Sequence, residues 1–226
     1  MRILAIDTAL EVCAAGVLDT ASGEMLAAES LSMQRGHAEA LMPLIARVMD
    51  KAGCEFAMLD RIAVTVGPGS FTGLRVGISA ARGIALASGK PAIGLSTLSA
   101  LAAPYVAARG QDTIIAAINA RNSQVYFQVF AANGTTAVPP RLDLAINVLR
   151  ATVIEPSVIT GSGAMLVAAH WPSSAPMPRV EERAAPDIGW VARLGAAASD
   201  ESGPPKPLYL RRPDARPQDA SRLARR

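Results

Sequence analysis

The sequence predicts an α/β protein built of mixed sheets flanked by helices. Short aliphatic runs of strand length alternate with longer segments whose apolar residues recur at helical period. Their order is three strands, then helix, strand, helix, strand, helix, and a second small α/β unit starts after Gly110. Composition agrees. Of the 226 residues 50% are hydrophobic but only 4% aromatic, so the core is drawn from Ala, Leu, Ile, Val and Met. That is ample material for a packed interior and excludes disorder for the bulk of the chain.

Residues 3–6 (ILAI) form a first strand, ended by Asp7-Thr8. Residues 12–18 and 25–29 supply two more, with Ala21-Ser22-Gly23 as a turn, so the short connections predict successive antiparallel hairpins. Leu41, Leu44, Ile45, Val48 and Met49 fall at i, i+3, i+4, i+7 and i+8, the stripe of an amphipathic helix over 37–52. Gly53 suits the position past its end, and Pro43 must lie in the first turn or mark a kink. A buried strand follows at 62–66, then a helix over 72–88 closed by Gly89-Lys90-Pro91, a strand at 92–95 and a helix over 97–108. Strands at 114–118 and 125–130 are joined by a polar turn, Asn119-Ala120-Arg121-Asn122. A later strand at 158–160 leads into Gly161-Ser162-Gly163. The proline-rich stretch 171–178 reads as a loop and 188–198 as a short helix. The domain division that follows is 1–108, 109–203, and a Pro- and Arg-rich tail over 204–226 expected to be extended and partly disordered.

Charge separates the tail from the body. The net charge is +3, yet residues 204–226 hold seven basic and two acidic groups, leaving −2 for everything before them. A basic domain that grips nucleic acid is therefore not predicted in the body, and the arginines of the tail read as a solvated, sequence-blind region able to gather RNA by counterion release. Cys13 and Cys54 lie far apart with no CxxC spacing, which predicts buried thiols rather than a disulfide or zinc site. Asp7 interrupts the first apolar run, and the most apolar stretch, 76–87, contains Arg82 and is too short to span a bilayer. A cytoplasmic protein without membrane contact is expected.

The richest segment is Gly67-Pro68-Gly69-Ser70-Phe71-Thr72-Gly73-Leu74-Arg75-Val76-Gly77. A strand, a glycine turn and a helix N-terminus make a natural cradle for an anion. The segment lacks a Gly-Lys-Ser/Thr triplet, misses the GxGxxG spacing, and loses an amide at Pro68. It therefore reads first as a tight turn capped by Ser70 or Thr72, and only second as a phosphate site. Gly73, Gly77 and Ala81 then recur every four residues, with Ala80, Ile84 and Ala87 beside them. Interior glycines cost about 1 kcal/mol each in a helix, so another backbone is expected to approach this face. The helix over 37–52 and a helix of another subunit are both candidates.

Three strings carry a family resemblance: ILAIDT at 3–8, GPGSFTGLRVG at 67–77 and PLYLRRPDA at 207–215. Together they resemble the TsaB (YeaZ) family, actin-like proteins of tRNA threonylcarbamoyladenosine biosynthesis. The resemblance implies two actin-like, ribonuclease-H-like subdomains, the second smaller and degenerate. It implies a non-catalytic subunit that pairs with a TsaD-like catalytic paralogue, joined by a TsaE-like ATPase. The complex would modify the adenosine beside the anticodon in tRNAs reading codons that begin with A. Pairing runs through the N-terminal helices, which assigns the partner surface to His37, Leu41, Leu44, Ile45, Val48, Gly73, Gly77, Ala80, Ala81 and Ile84. A homodimer is the alternative when the partner is absent. No cofactor is required by the chain alone; ATP or ADP with Mg would enter the assembled complex, with Asp7, Thr8, Gly67, Gly69 and Ser70 as vestigial contacts. Where relatives carry Asp-Ala-Arg and Glu-Val-Tyr, this chain has Asn119-Ala120-Arg121 and Gln124-Val125-Tyr126, so both carboxylates have become amides.

Independent catalysis finds little support in the residues. The paralogue's HxxxH metal pair becomes His37 and Leu41, and His170 is the only other histidine. Neither HExxH nor GxSxG occurs, so peptidase and serine-hydrolase chemistry are not predicted. The competing reading is an autonomous actin-like ATPase or sugar-kinase-type phosphotransferase in which Asp7 orients a magnesium-bound water.

Overall fold

The computed structural model describes residues 1–152, 157–199 and 203–211. The first half contains β1 (Arg2–Asp7), β2 (Val12–Asp19), β3 (Glu24–Ser32), α1 (His37–Lys51), β4 (Arg61–Gly67), α2 (Phe71–Ser88), β5 (Ala92–Ser96) and α3 (Thr97–Ala107). Its five strands form one sheet ordered β3-β2-β1-β4-β5, antiparallel through β1, β2 and β3 and parallel through β1, β4 and β5. The second half contains β6 (Thr113–Asn119), β7 (Gln124–Phe130), β8 (Thr136–Leu144), α4 (Ala145–Val148), β9 (Ser157–Thr160), α5 (Ala164–Ala168), β10 (Arg179–Glu181) and α6 (Ile188–Ala197). Its sheet is ordered β10-β9-β6-β7-β8 with the same parallel and antiparallel pairings. The chain thus holds two copies of one unit, the second reduced to short helices.

Sequence pattern follows position in the sheet. β1 and β4 are covered on both faces and are apolar almost throughout, whereas the edge strand β3 alternates exposed and half-buried residues. An edge strand of the second sheet, β8, is missing from the sequence reading because Pro139 and Pro140 resemble loop punctuation; an edge position tolerates the missing donors. Short α4, α5 and β10 also escaped it.

Pro43 lies beyond the first turn of α1. Pro43 and Glu39, whose carbonyl loses its helical donor, are both exposed, so water can take that bond. A helix-interior proline costs about 3 kcal/mol. Burying Leu41, Leu44, Ile45 and Val48 contributes about 1.5–3 kcal/mol each, which outweighs it.

The last helix of each half packs on the sheet of the other. α3 covers β6, while α6 lies across β1, β2 and β4. Ile188, Val191 and Ala192 join Ile3, Ala5 and Ala63 in one apolar cluster; Leu98, Leu101 and Ala102 join Ile114, Ala116 and Ile118 in another. Arg61 on β4 closes the exchange, its Nη1 donating to the Gly195 and Ala198 carbonyls at 2.6 and 2.7 Å. A boundary at 108 therefore separates the sheets in sequence but not the packing units in space. Residues 203–211, where the segment expected to be extended and partly disordered begins, are held against the first half: Leu208 N–H donates to Val66 O at 2.7 Å and Pro205 is buried beside Gly94. The tail beyond Arg211 lies outside the described residues.

Candidate functional site

The site begins where β1 ends. Asp7 is fully buried, and its Oδ1 accepts hydrogen bonds from the Thr65 hydroxyl at 2.5 Å and from Ala9 N–H at 3.0 Å. Oδ2 has no hydrogen-bond partner among the described residues. Burial raises the Asp7 pKa above the usual carboxylate range, against the hydrogen bonds from Thr65 and Ala9 and the charge of His37, which lower it. Cys13 is buried as well, and burial reinforced by the Asp7 charge pushes its thiol up to about 11.

The glycine loop does form a cradle, but the chain fills it. Ser70 N–H donates to Ala9 O at 2.7 Å, Gly73 N–H to Ser70 Oγ at 3.3 Å, and Leu74 N–H to Ser70 O at 2.9 Å. Thr8 Oγ1 donates to Gly73 O at 2.7 Å. Side chains at Gly69 and Gly73 would collide with the carbonyl oxygens of Ala9 and Thr8, and one at Gly77 with the Thr8 hydroxyl. These glycines thus admit the Thr8–Ala9 segment; α1 also packs against α2, sharing a core cluster with Ala81 and Ile84, but it is not what Gly73 and Gly77 make room for. Gly67 has φ 114° and faces Leu208 instead. Asp7, Thr8, Gly69 and Ser70 are brought together, yet Asp7, Thr8 and Ser70 are already bonded to Ala9, Thr65 and Gly73, and a phosphate would have to displace such bonds.

Burial also corrects the partner surface. Leu41, Leu44, Ile45, Val48, Ala81 and Ile84 belong to the core cluster of the first half, with Ala80 half-buried against it. His37 is buried with Nε2 donating to Leu10 O at 3.1 Å, and Gly73 and Gly77 are buried against Thr8. A helical apolar stripe marks the face turned towards the sheet, so it names the residues unavailable to a partner. The exposed faces carry Ala38, Met42 and Ala46 on α1 and Ser79, Gly83, Leu86 and Ala87 on α2. Leu86 is 86% exposed, the most exposed of the large apolar residues described.

In the second half, Asn119 Oδ1 accepts from Arg121 N–H at 2.9 Å and its own N–H donates to Ser162 Oγ at 3.2 Å. Arg121, Asn122 and Ser123 all have positive φ, so the amide at 119 holds a strained turn in place. Among the described residues no group of three or more His, Cys, Asp or Glu side chains could hold a metal, and no helix is long and apolar enough to cross a membrane.

Comparison with known proteins agrees with this frame. Residues 25–161 match the family model described as TsaD, tRNA N6-adenosine threonylcarbamoyltransferase. The tRNA threonylcarbamoyladenosine biosynthesis protein TsaB of Escherichia coli is 38% identical over 56% of this chain, and the match spans 54% of that relative, about half its length. YeaZ from Pseudomonas aeruginosa superposes with a TM-score of 0.76 at 26% identity, covering 92% of this chain and 99% of its own. A ROK hexokinase from Thermus thermophilus shares the fold at a TM-score of 0.51 and 14% identity, as an actin-like architecture requires. With the duplicated sheet order, these matches establish that the chain belongs to the TsaD family, and within it to the TsaB (YeaZ) proteins, with the actin-like two-subdomain fold.

Proposed function

We propose that this chain is a non-catalytic subunit of the assembly that transfers threonylcarbamoyl to the adenosine beside the anticodon. The observation that carries this reading is closure of the glycine loop on Thr8 and Ala9. In an actin-like enzyme the loop after the first strand and a glycine turn handle phosphate, and here the Ser70, Gly73 and Leu74 amides are bonded within the chain. Asp7, the residue the phosphotransferase alternative needs, is buried and pushed towards its neutral form. Family membership supplies the pathway, and the name of the E. coli relative supplies its product.

The partner is a TsaD-like paralogue, with a TsaE-like ATPase and tRNA engaged through the complex. Docking uses the outer faces of α1 and α2, where Met42, Ala46, Gly83, Leu86 and Ala87 expose apolar or small side chains. Gly83 would meet nothing within 4 Å if it carried a Cβ, so no packing among the described residues calls for glycine there. A close-approaching helix of another chain gives it a purpose. The same face can pair two copies of this chain when the paralogue is absent. ATP or ADP with Mg acts at the level of the assembly, and the chain alone requires neither.

Reconstitution tests the reading. Purified TsaD-like and TsaE-like proteins, tRNA, threonylcarbamoyl-adenylate and Mg-ATP are incubated with and without this chain, and modified adenosine is scored by mass spectrometry. Modification is expected only when the chain is present. Equal modification without it, or Mg-ATP turnover by the isolated chain that Asp7→Asn abolishes, would reject the subunit role.

A further inference from the structure

One exposed cluster has no part in the docking face or the sealed loop. Phe71 opens α2 and Tyr209 lies on the segment that returns over it; their rings stack with centroids 5.4 Å apart and an interplanar angle of 30°. The Arg75 guanidinium carbon lies 3.8 Å from the centroid of the Phe71 ring, and its Nε donates to the Tyr209 hydroxyl at 3.3 Å. Phe71 and Tyr209 nonetheless remain 45% and 41% exposed. Two stacked rings left open to water make a contiguous apolar patch, the kind of surface that marks a binding site.

The charged residues on the two segments that carry the pair are all cations. α2 contains Arg75 and Arg82 and no acidic residue. The returning segment over 203–211 contains Lys206 and Arg211 and no acidic residue. An aromatic platform within a cationic surface is the combination that holds single-stranded nucleic acid, because each base offers a π-face and each linkage a phosphate.

We propose that the Phe71–Tyr209 stack binds an unpaired RNA segment, with a base extending the stack at Tyr209 and phosphates held by Arg75, Lys206 and Arg211. The choice of RNA rests on the subunit reading above; the binding itself does not depend on a partner. The chain would then hold part of the tRNA rather than only the enzyme that modifies it.

Fluorescence anisotropy on the full-length chain tests this, with a labelled anticodon stem-loop RNA and a fully paired RNA duplex as probes. The stem-loop should bind more tightly than the duplex. Tyr209→Leu keeps an apolar side chain against Phe71 but removes the π-face, and should weaken stem-loop binding about tenfold while leaving the melting temperature unchanged. Tyr209→Phe should bind as the parent does. Lys206→Glu should lower the slope of log affinity against log salt by roughly 0.7 or more, the loss of one single-strand phosphate contact. Equal binding of the two probes, or unchanged stem-loop affinity in Tyr209→Leu, overturns the proposal. If Tyr209→Leu spares RNA binding but abolishes pairing with a TsaD-like chain, the cluster is a protein interface instead. Failed reconstitution with intact, Tyr209-dependent RNA binding would remove the pathway reading and leave this one standing.

Discussion

Burial and hydrogen bonding pull the Asp7 carboxyl in opposite directions, and burial wins. The folded chain therefore keeps this proton to a higher pH than the unfolded chain does. Its contribution to stability is complete below the ordinary aspartate value of about 3.9 and is lost as pH rises through the raised native value. Asp7→Asn cannot titrate, so melting curves collected across that range should show a flatter dependence of Tm on pH than the parent. The buried Cys13, with its thiol pushed up to about 11, should resist alkylation at pH 8 in the native protein and react once denaturant is added. At this scale much was legible: Asp7 was expected to end β1 and does so, its Oδ1 accepting from Ala9 N–H in the turn that follows. Its complete sealing was not, because that depends on α2 approaching from sixty-odd positions along the chain, through Gly73 and Thr8.

On α2 two glycines of similar appearance in the sequence have opposite environments. Gly73 is walled by the Thr8 carbonyl oxygen, which is backbone and cannot yield, so Gly73→Ala should destabilise the protein by about 2–3 kcal/mol. Gly83 is exposed and open, so Gly83→Ala should stabilise it by about 0.5–1 kcal/mol through helix propensity alone. Urea denaturation of both variants reads the difference. Gly77→Leu, which the sequence suggests as a probe of pairing, would clash with the Thr8 hydroxyl and report on folding instead. The four-residue spacing correctly announces a close approach, but spacing along one helix cannot name the wall, and here the wall is the end of a strand. Likewise the stripe on α1 located the helix well and its free face only by elimination. Strand β8 and the returning segment were hidden by proline, which marks both turns and edge positions.

Across the whole molecule the repeat of one sheet order binds the halves through exchanged helices. Arg61 supplies the C-terminal carbonyls of α6 with a charged donor from the opposite half. Arg61→Leu should therefore destabilise the protein by about 2–3 kcal/mol, in a single cooperative transition rather than by loosening one half, as denaturation followed by two probes would show. The duplication was legible from the restart of the strand pattern after Gly110; the exchange was not, since nothing local in 188–198 says which sheet it covers.

The outer face of α1 and α2 is the part of the account that gives this chain its role, and Leu86 is its most exposed apolar residue. Sedimentation velocity of the parent and of Leu86→Glu, each mixed with a TsaD-like chain, measures that role directly. A heterodimer for the parent and separate species for the variant, at matched melting temperatures, is the predicted result. A heterodimer that forms equally well with Leu86→Glu would contradict it.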